Sequence, residues 1–191
     1  FPEIISTQLS GNENQTIIGC IVHADKDVNV EANFSCLEDP NLNVPYSGDI
    51  TFEVTGDNIL VDPDNGVLHF IKAPDYEQIT SYTATVTIND GENSTTADIN
   101  VNVNDLNDNP PVLTSATSYS VKENQSSGGL LQISDPDTVN VFTYSIDETY
   151  EDGAMFTINS NGELIFVSNP DYEEKNSYKL KVIINDGVFE I

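Results

Sequence analysis

Residues 82–88 alternate along the chain: Tyr82, Ala84, Val86 and Ile88 are apolar or aromatic, and every residue between them is threonine. A period of two over this length is that of a β-strand with one face turned to a core. Comparable short runs rich in β-branched residues fall at 16–22, 50–54, 67–71 and 97–103, with Gly, Asn, Asp and Pro between them. Beyond Pro111 the pattern resumes at 119–121, 130–133, 141–146, 155–158, 163–167 and 178–184. No segment sustains a helical period. Short strands at turn-sized spacing over about 100 residues predict a β-sandwich, and the chain holds two such stretches in tandem, an all-β protein.

The two stretches are copies. Glu13-Asn14-Gln15 returns as Glu123-Asn124-Gln125, and Asp25-Lys26-Asp27 as Asp135-Pro136-Asp137. Gly66-Val67-Leu68 returns as Gly162-Glu163-Leu164, and Pro74-Asp75-Tyr76-Glu77 as Pro170-Asp171-Tyr172-Glu173. Ser81-Tyr82 then matches Ser177-Tyr178, and Asn89-Asp90-Gly91 matches Asn185-Asp186-Gly187. Chance supplies single matches of this length, not an ordered series. The expected organisation is a first repeat at 1–104 with an insertion near 28–47, a linker at 105–111, and a second repeat at 112–191 that stops near its last strand.

Charge narrows the function. Only six Lys and Arg stand against 32 Asp and Glu, a net charge of -26, so no basic face exists to follow a phosphate backbone and nucleic acid is excluded as a partner. Self-repulsion of this size suggests that divalent cations belong to the working state, although an acidic solvated surface has the same composition. No apolar run is long enough to span a membrane, and the start lacks the basic and apolar regions of a signal peptide. Sequons at Asn14, Asn33, Asn93 and Asn124 suit an exported glycoprotein. Cys20 and Cys36, the two cysteines, could close a loop worth ~3 kcal/mol in an oxidising compartment, or remain two buried thiols. Neither forms a zinc site, for want of His partners.

The stretch joining the copies, Asp105-Leu106-Asn107-Asp108-Asn109-Pro110-Pro111, packs carboxylates and side-chain amides before two prolines. Proline fixes its own φ and holds Asn109 extended, so the oxygens project to alternate sides. Calcium takes six to eight oxygen ligands of these types in a tolerant geometry. An acidic, turn-rich linker would read the same by composition alone.

Together, the Glu-Asn, Asp-x-Asp, Asp-Tyr-Glu and Asn-Asp-Gly motifs and the D-x-N-D-N-P-P linker make the chain resemble tandem cadherin repeats over nearly its whole length. The resemblance implies two Greek-key sandwiches joined end to end by three calcium ions. It assigns Glu13, Asp75, Glu77 and Asp108 to an outer ion. It assigns Glu13, Glu77, Asp105, Asp108, Asp137 and the Leu106 carbonyl to its neighbour. The third ion takes Asn107, Asp135, Asp137, Asp186 and the Asn109 carbonyl, with Asn140 as a further ligand from a loop shorter than the family's. Glu123, Asp171 and Glu173 have the ligand types for another linker, while Asp25, Asp27 and Asp90 lack an upstream one. The sequence therefore reads as part of a longer array, unless Phe1 is a mature terminus and those three aspartates gather a lone ion.

The implied role is mechanical: repelling carboxylates leave the linker loose without calcium, and calcium stiffens it into a rod that presents an adhesive surface. The expected partners are other cadherin-like ectodomains, homophilic or heterophilic. The expected location is the extracellular cell surface, with no membrane contact by these residues although the parent chain is expected to be anchored. The family's Trp-docked strand exchange is not open to a chain without Trp. A carbohydrate- or matrix-binding module of a microbial surface protein is the alternative. Catalysis is not expected: Asp75 and Glu77 could pair as glycosidase carboxylates, but His23 and His69 lie in strand-like runs and no nucleophile or phosphate-loop motif occurs.

Overall fold

The computed structural model describes residues 2–5, 7–21, 23–25, 50–56, 58–63, 65–138 and 141–191. The insertion expected at 28–47, with Asn33 and Cys36, lies outside these residues, as do Asp27 and Asn140. Cys20, half-buried at the end of its strand, carries no free thiol. The chain divides into two compact units, Phe1–Leu106 and Asn107–Ile191.

The first unit contains β1 (Pro2–Ile4), β2 (Gln8–Asn12), β3 (Ile17–Cys20), β4 (His23–Asp25), β5 (Thr51–Thr55), β6 (Ile59–Val61), β7 (Val67–Phe70), β8 (Ser81–Asn89) and β9 (Ser94–Asn104). One sheet has the order β2-β9-β8-β5, in which β2 runs parallel to β9 and the other pairs are antiparallel. The other has the order β3-β7-β6, and β1 pairs with β4. The alternation in β8 does what its period requires: Ala84, Val86 and Ile88 are buried while the threonines face outward. β9 follows the same rule with Ile99, Val101 and Val103. From the opposite sheet Ile18, Ile59, Leu68 and Phe70 close the core, and Leu68 is 0% exposed.

The second unit contains β10 (Val112–Leu113), β11 (Ser127–Leu130), β12 (Ile133–Ser134), β13 (Thr143–Ile146), β14 (Phe156–Ile158), β15 (Glu163–Phe166) and β16 (Val182–Asn185), with a 3-10 turn at Gly153–Met155. Its sheets are β11-β15-β14, β13-β16 and β10-β12. They answer to β3-β7-β6, β5-β8 and β1-β4 of the first unit. Leu131, Leu164 and Ile184 form a small buried cluster, and Phe156 stacks on Phe166 at 4.3 Å between ring centres, with Tyr178 edge-on to both. In both units the Gly-x-Leu motif turns at a left-handed glycine, Gly66 with φ 71° and Gly162 with φ 79°. A methyl group at Gly66 would meet the Phe52 ring at 3.1 Å.

Two predicted strands are corrected. Residues 119–121 and 178–181 join no ladder. In the first unit the matching segments, within β2 and β8, both pair with β9. In the second unit the described contacts of this kind are the Asn185–Glu190 bridge and the backbone bonds between Ile184 and Ile191. The predicted run at 130–133 is likewise broken between β11 and β12. β2 escaped the sequence pattern because Gln8-Leu9-Ser10-Gly11-Asn12 has one large apolar residue; its backbone pairing, not its hydropathy, makes it a strand.

Candidate metal-binding half-sites

In the first unit the oxygens gather around Glu13. Asn14 adopts a left-handed φ of 60°, and its amide donates to the Pro74 carbonyl at 3.0 Å, while the Glu13 amide donates to the Asn104 carbonyl at the end of β9. These backbone bonds tie the Glu-Asn turn to the Asp-Tyr-Glu segment. The Glu13 carboxylate is 1% exposed and accepts two backbone N–H groups, Tyr76 at 2.8 Å and Leu106 at 2.6 Å. One carboxylate oxygen from each of Glu13, Asp75 and Glu77 lies within 4.8 Å of the others. Three anions at that spacing repel strongly unless a cation joins them. Asp105, the next ligand named from sequence, is half-buried in the segment leading out of β9.

In the second unit, residues 107–109, the Asp135–Asp137 loop and the turn after β16 converge. Asn107 Nδ2 donates to the Asp186 carbonyl at 2.9 Å. Asn109 donates its backbone N–H and its side-chain Nδ2 to the two oxygens of Asp137, both at 2.8 Å, and Nδ2 also reaches Asp108 at 2.7 Å. The Asp137 amide donates in turn to Asp135 Oδ1 at 3.0 Å. Asp186 Oδ1 accepts the amides of Val188 and Phe189, each at 2.7 Å. Burial pushes the Asp186 carboxyl up, yet the Phe189 and Val188 amides and the Asn107 side chain outweigh it and hold the group below the usual Asp value. Asp137 and Asp186 are almost fully buried, at 4% and 3% exposed.

Three oxygens in this unit are left over. Asn107 Oδ1, Asp135 Oδ2 and Asp186 Oδ2 are buried and accept no hydrogen bond. A buried acceptor without a donor costs ~1–3 kcal/mol, and more when charged, so three of them in one constellation fit a cation. The donor set is oxygen alone, from carboxylates and amides, which suits calcium and not zinc. Sequence reasoning named these residues, Asn109 for its carbonyl rather than for the side chain that reaches Asp137. It missed the amides that aim them: Tyr76 and Leu106 on Glu13, Val188 and Phe189 on Asp186. Leu106 was named for its carbonyl, whereas its N–H makes the contact seen here. The Asn-Asp-Gly turn was the available signal, since Asp there ordinarily accepts amides two and three residues on.

The second unit repeats the first unit's arrangement elsewhere. Glu123, Asp171 and Glu173 place carboxylate oxygens within 4.8 Å of one another, and the Tyr172 amide donates to Glu123 at 3.1 Å.

A family model described as "Cadherin domain" matches residues 117–190. The chain belongs to the cadherin superfamily, as two tandem repeats. Protocadherin-1 of Homo sapiens is 28% identical over 185 residues, 90% of this chain and 17% of that protein. Cadherin-99C of Drosophila melanogaster is 31% identical over 156 residues, 75% of this chain and 9% of that protein. The Fat-like cadherin-related tumor suppressor homolog of the same fly is 27% identical over 180 residues, 87% of this chain and 4% of that protein. The chain thus spans less than a fifth of each of these cadherins.

Among solved structures, human Protocadherin-24 EC1-2 superposes with a TM-score of 0.66 at 20% identity, covering 96% of this chain and 85% of that one. The human Desmocollin-1 ectodomain gives 0.68 at 20% identity, covering 97% and 37%. These likenesses establish the β-sandwich fold of the repeats. Cadherins are adhesion proteins of the cell surface and not an enzyme family. Among the described residues no helix is long and apolar enough to cross a membrane.

Proposed function

We propose that the two half-sites bind calcium jointly and make this pair of cadherin repeats a calcium-stiffened segment of an extracellular adhesion or recognition protein. The observation that carries the reading is the set of buried, unpartnered oxygens on Asn107, Asp135 and Asp186. Bound calcium supplies the positive charge and the coordination that such oxygens lack. The chain's own work is to hold them ready: Tyr76 and Leu106 aim Glu13, Asn109 aims Asp137, and Val188 with Phe189 aims Asp186. Leu106 is fastened in the first half-site and Asn107 in the second, and one peptide bond joins them.

The proposed sets follow the assignment above, three ions held by Glu13, Asp75, Glu77, Asp105, Leu106, Asn107, Asp108, Asn109, Asp135, Asp137 and Asp186, with Asn140 as a further ligand. Eight carboxylates take part, and their mutual repulsion without calcium frees the linker. Affinity of about 0.1 to 1 mM is expected, the range of extracellular modules. At that affinity extracellular calcium itself keeps the segment stiff. The partners are other cadherin-like ectodomains.

Thermal unfolding of the calcium-stripped protein tests this, with several millimolar calcium added back to one sample. Ligands that bind only the folded state raise its stability by linkage, and three weak sites give a rise of roughly ten degrees. Asp135→Ala is expected to lose much of that rise. An unchanged unfolding temperature in both proteins contradicts the proposal.

A further inference from the structure

The turns that enter β7 and β15 are built on one plan. In the first unit the Asp62 amide donates to the Val67 carbonyl at 2.8 Å and the Gly66 amide to the Asp62 carbonyl at 2.9 Å. In the second the Asn159 amide donates to the Glu163 carbonyl at 3.1 Å and the Gly162 amide to the Asn159 carbonyl at 3.0 Å. Each turn ends in Asn-Gly, as Asn65-Gly66 and Asn161-Gly162, and the sequence holds no third such pair. The fold keeps the second glycine in place. Gly162 has φ 79°, and a methyl group on it would meet the Leu131 carbonyl at 3.2 Å and the Tyr144 ring at 3.3 Å.

Asn-Gly carries a chemical liability. The glycine amide nitrogen, once hydroxide has taken its proton, can attack the asparagine Cγ, because no Cβ on the glycine obstructs the approach. A succinimide ring forms, and the side-chain nitrogen leaves as ammonia after taking a proton back from solvent. Water then opens the ring. Attack at the side-chain carbonyl gives aspartate, and attack at the main-chain carbonyl gives isoaspartate, in which the chain runs through the former side chain.

What separates the two pairs is the asparagine side chain. Asn65 is half-buried and tied at both ends, Nδ2 donating to Asp62 Oδ2 at 3.0 Å and Oδ1 accepting the Val67 amide at 2.9 Å. In the second unit Asn159 does that work: its Oδ1 accepts the amides of Asn161 and Glu163 at 2.9 and 3.1 Å, and its Nδ2 donates to Glu163 at 3.0 Å. The Asn161 side chain is left exposed, with no hydrogen bond among the described residues. To bring Cγ onto the glycine nitrogen, Asn65 must first break two hydrogen bonds that Asn161 does not make.

We propose that Asn161 is a site of spontaneous deamidation, converting to isoaspartate with water as co-reactant, while Asn65 is protected by its own turn. The product adds a carboxylate and one main-chain carbon to the turn between β14 and β15, the strands that carry the stacked Phe156 and Phe166. Loss of ammonia makes the change one-way, so it accumulates with the age of the protein.

The test incubates the full chain with calcium in mildly alkaline buffer at body temperature and follows its proteolytic peptides by electron-transfer mass spectrometry, which separates isoaspartate from aspartate. Conversion at position 161 is expected to run about tenfold faster than at position 65, the side-chain hydrogen bonds of Asn65 setting the difference. Asp62→Ala, which releases Asn65 Nδ2, is expected to raise the rate at position 65 and leave that at position 161 unchanged. In urea the two rates are expected to converge. Equal rates in the folded chain, an intact Asn161, or a difference that persists undiminished in urea overturns the proposal.

Discussion

The two repeats carry the same motifs in the same order, yet among the described residues one has a core cluster of twelve buried apolar residues and the other a cluster of three, with Phe156 and Phe166 buried beside it. Their inward-facing residues are of similar kind: Leu68 matches Leu164, and Ile88 matches Ile184. In the first unit β9 lies at the centre of the core. Eleven residues long, it pairs along both edges and inserts Ile99, Val101 and Val103 between the sheets. In the first unit β9, which follows β8 directly, completes the burial of the core. The acids differ too: Glu13 is buried and accepts the amides of Tyr76 and Leu106, while Glu123 is exposed and accepts that of Tyr172.

The largest expected contrast comes from the matched leucines. Leu68→Ala should cost about 2–5 kcal/mol, because its surroundings are fully packed and cannot collapse into the hole. Leu164→Ala, in a smaller cluster that can collapse further, should fall at the low end of that range, about 2 kcal/mol. Urea unfolding followed by circular dichroism measures both, and equal losses would break the comparison.

Next come the matched glutamates, measured in calcium-free buffer. Glu13→Ala leaves the Tyr76 and Leu106 amides without their acceptor and should cost about 1–3 kcal/mol. Glu123→Ala, at an exposed position, should stay within about 0.5 kcal/mol.

The smallest effect concerns the matched Asn-Asp-Gly turns. The amides of Asn93 and Glu92 hold Asp90 below the usual Asp value, and Asp186 is also low, the Phe189 and Val188 amides and Asn107 outweighing its burial. A carboxyl with a lowered folded pKa adds stability above its unfolded pKa of about 3.9, and that stability is lost as pH falls through the folded value. Calcium-free protein should therefore lose stability on acidification below about pH 4. Asp186→Asn and Asp90→Asn should each flatten that slope, as acid titration of the unfolding temperature would record.

Much of this was legible in the sequence. The alternation at 82–88 marked β8 because a sheet with one buried face imposes that period on its side chains. The residues proposed as ligands were legible because a cation that wants oxygens restricts residue type at each position. Other features were not. β2 is held by backbone pairing that leaves little trace in hydropathy, and residues 119–121 alternate like a strand yet join no ladder among the described residues. Nor does any residue type reveal that Asn107 spends its amide nitrogen on the Asp186 carbonyl and leaves its oxygen unpartnered. That follows only from where the turn after β16 sits relative to residues 107–109.

The central claim is that these oxygens hold calcium in number, and equilibrium dialysis of the stripped protein against radiolabelled calcium tests it most directly. Saturation near three ions per chain, at about 0.1 to 1 mM and falling by at least one ion in Asp135→Ala, is the predicted result. Binding of no calcium at several millimolar, or saturation that Asp135→Ala leaves untouched, would contradict it.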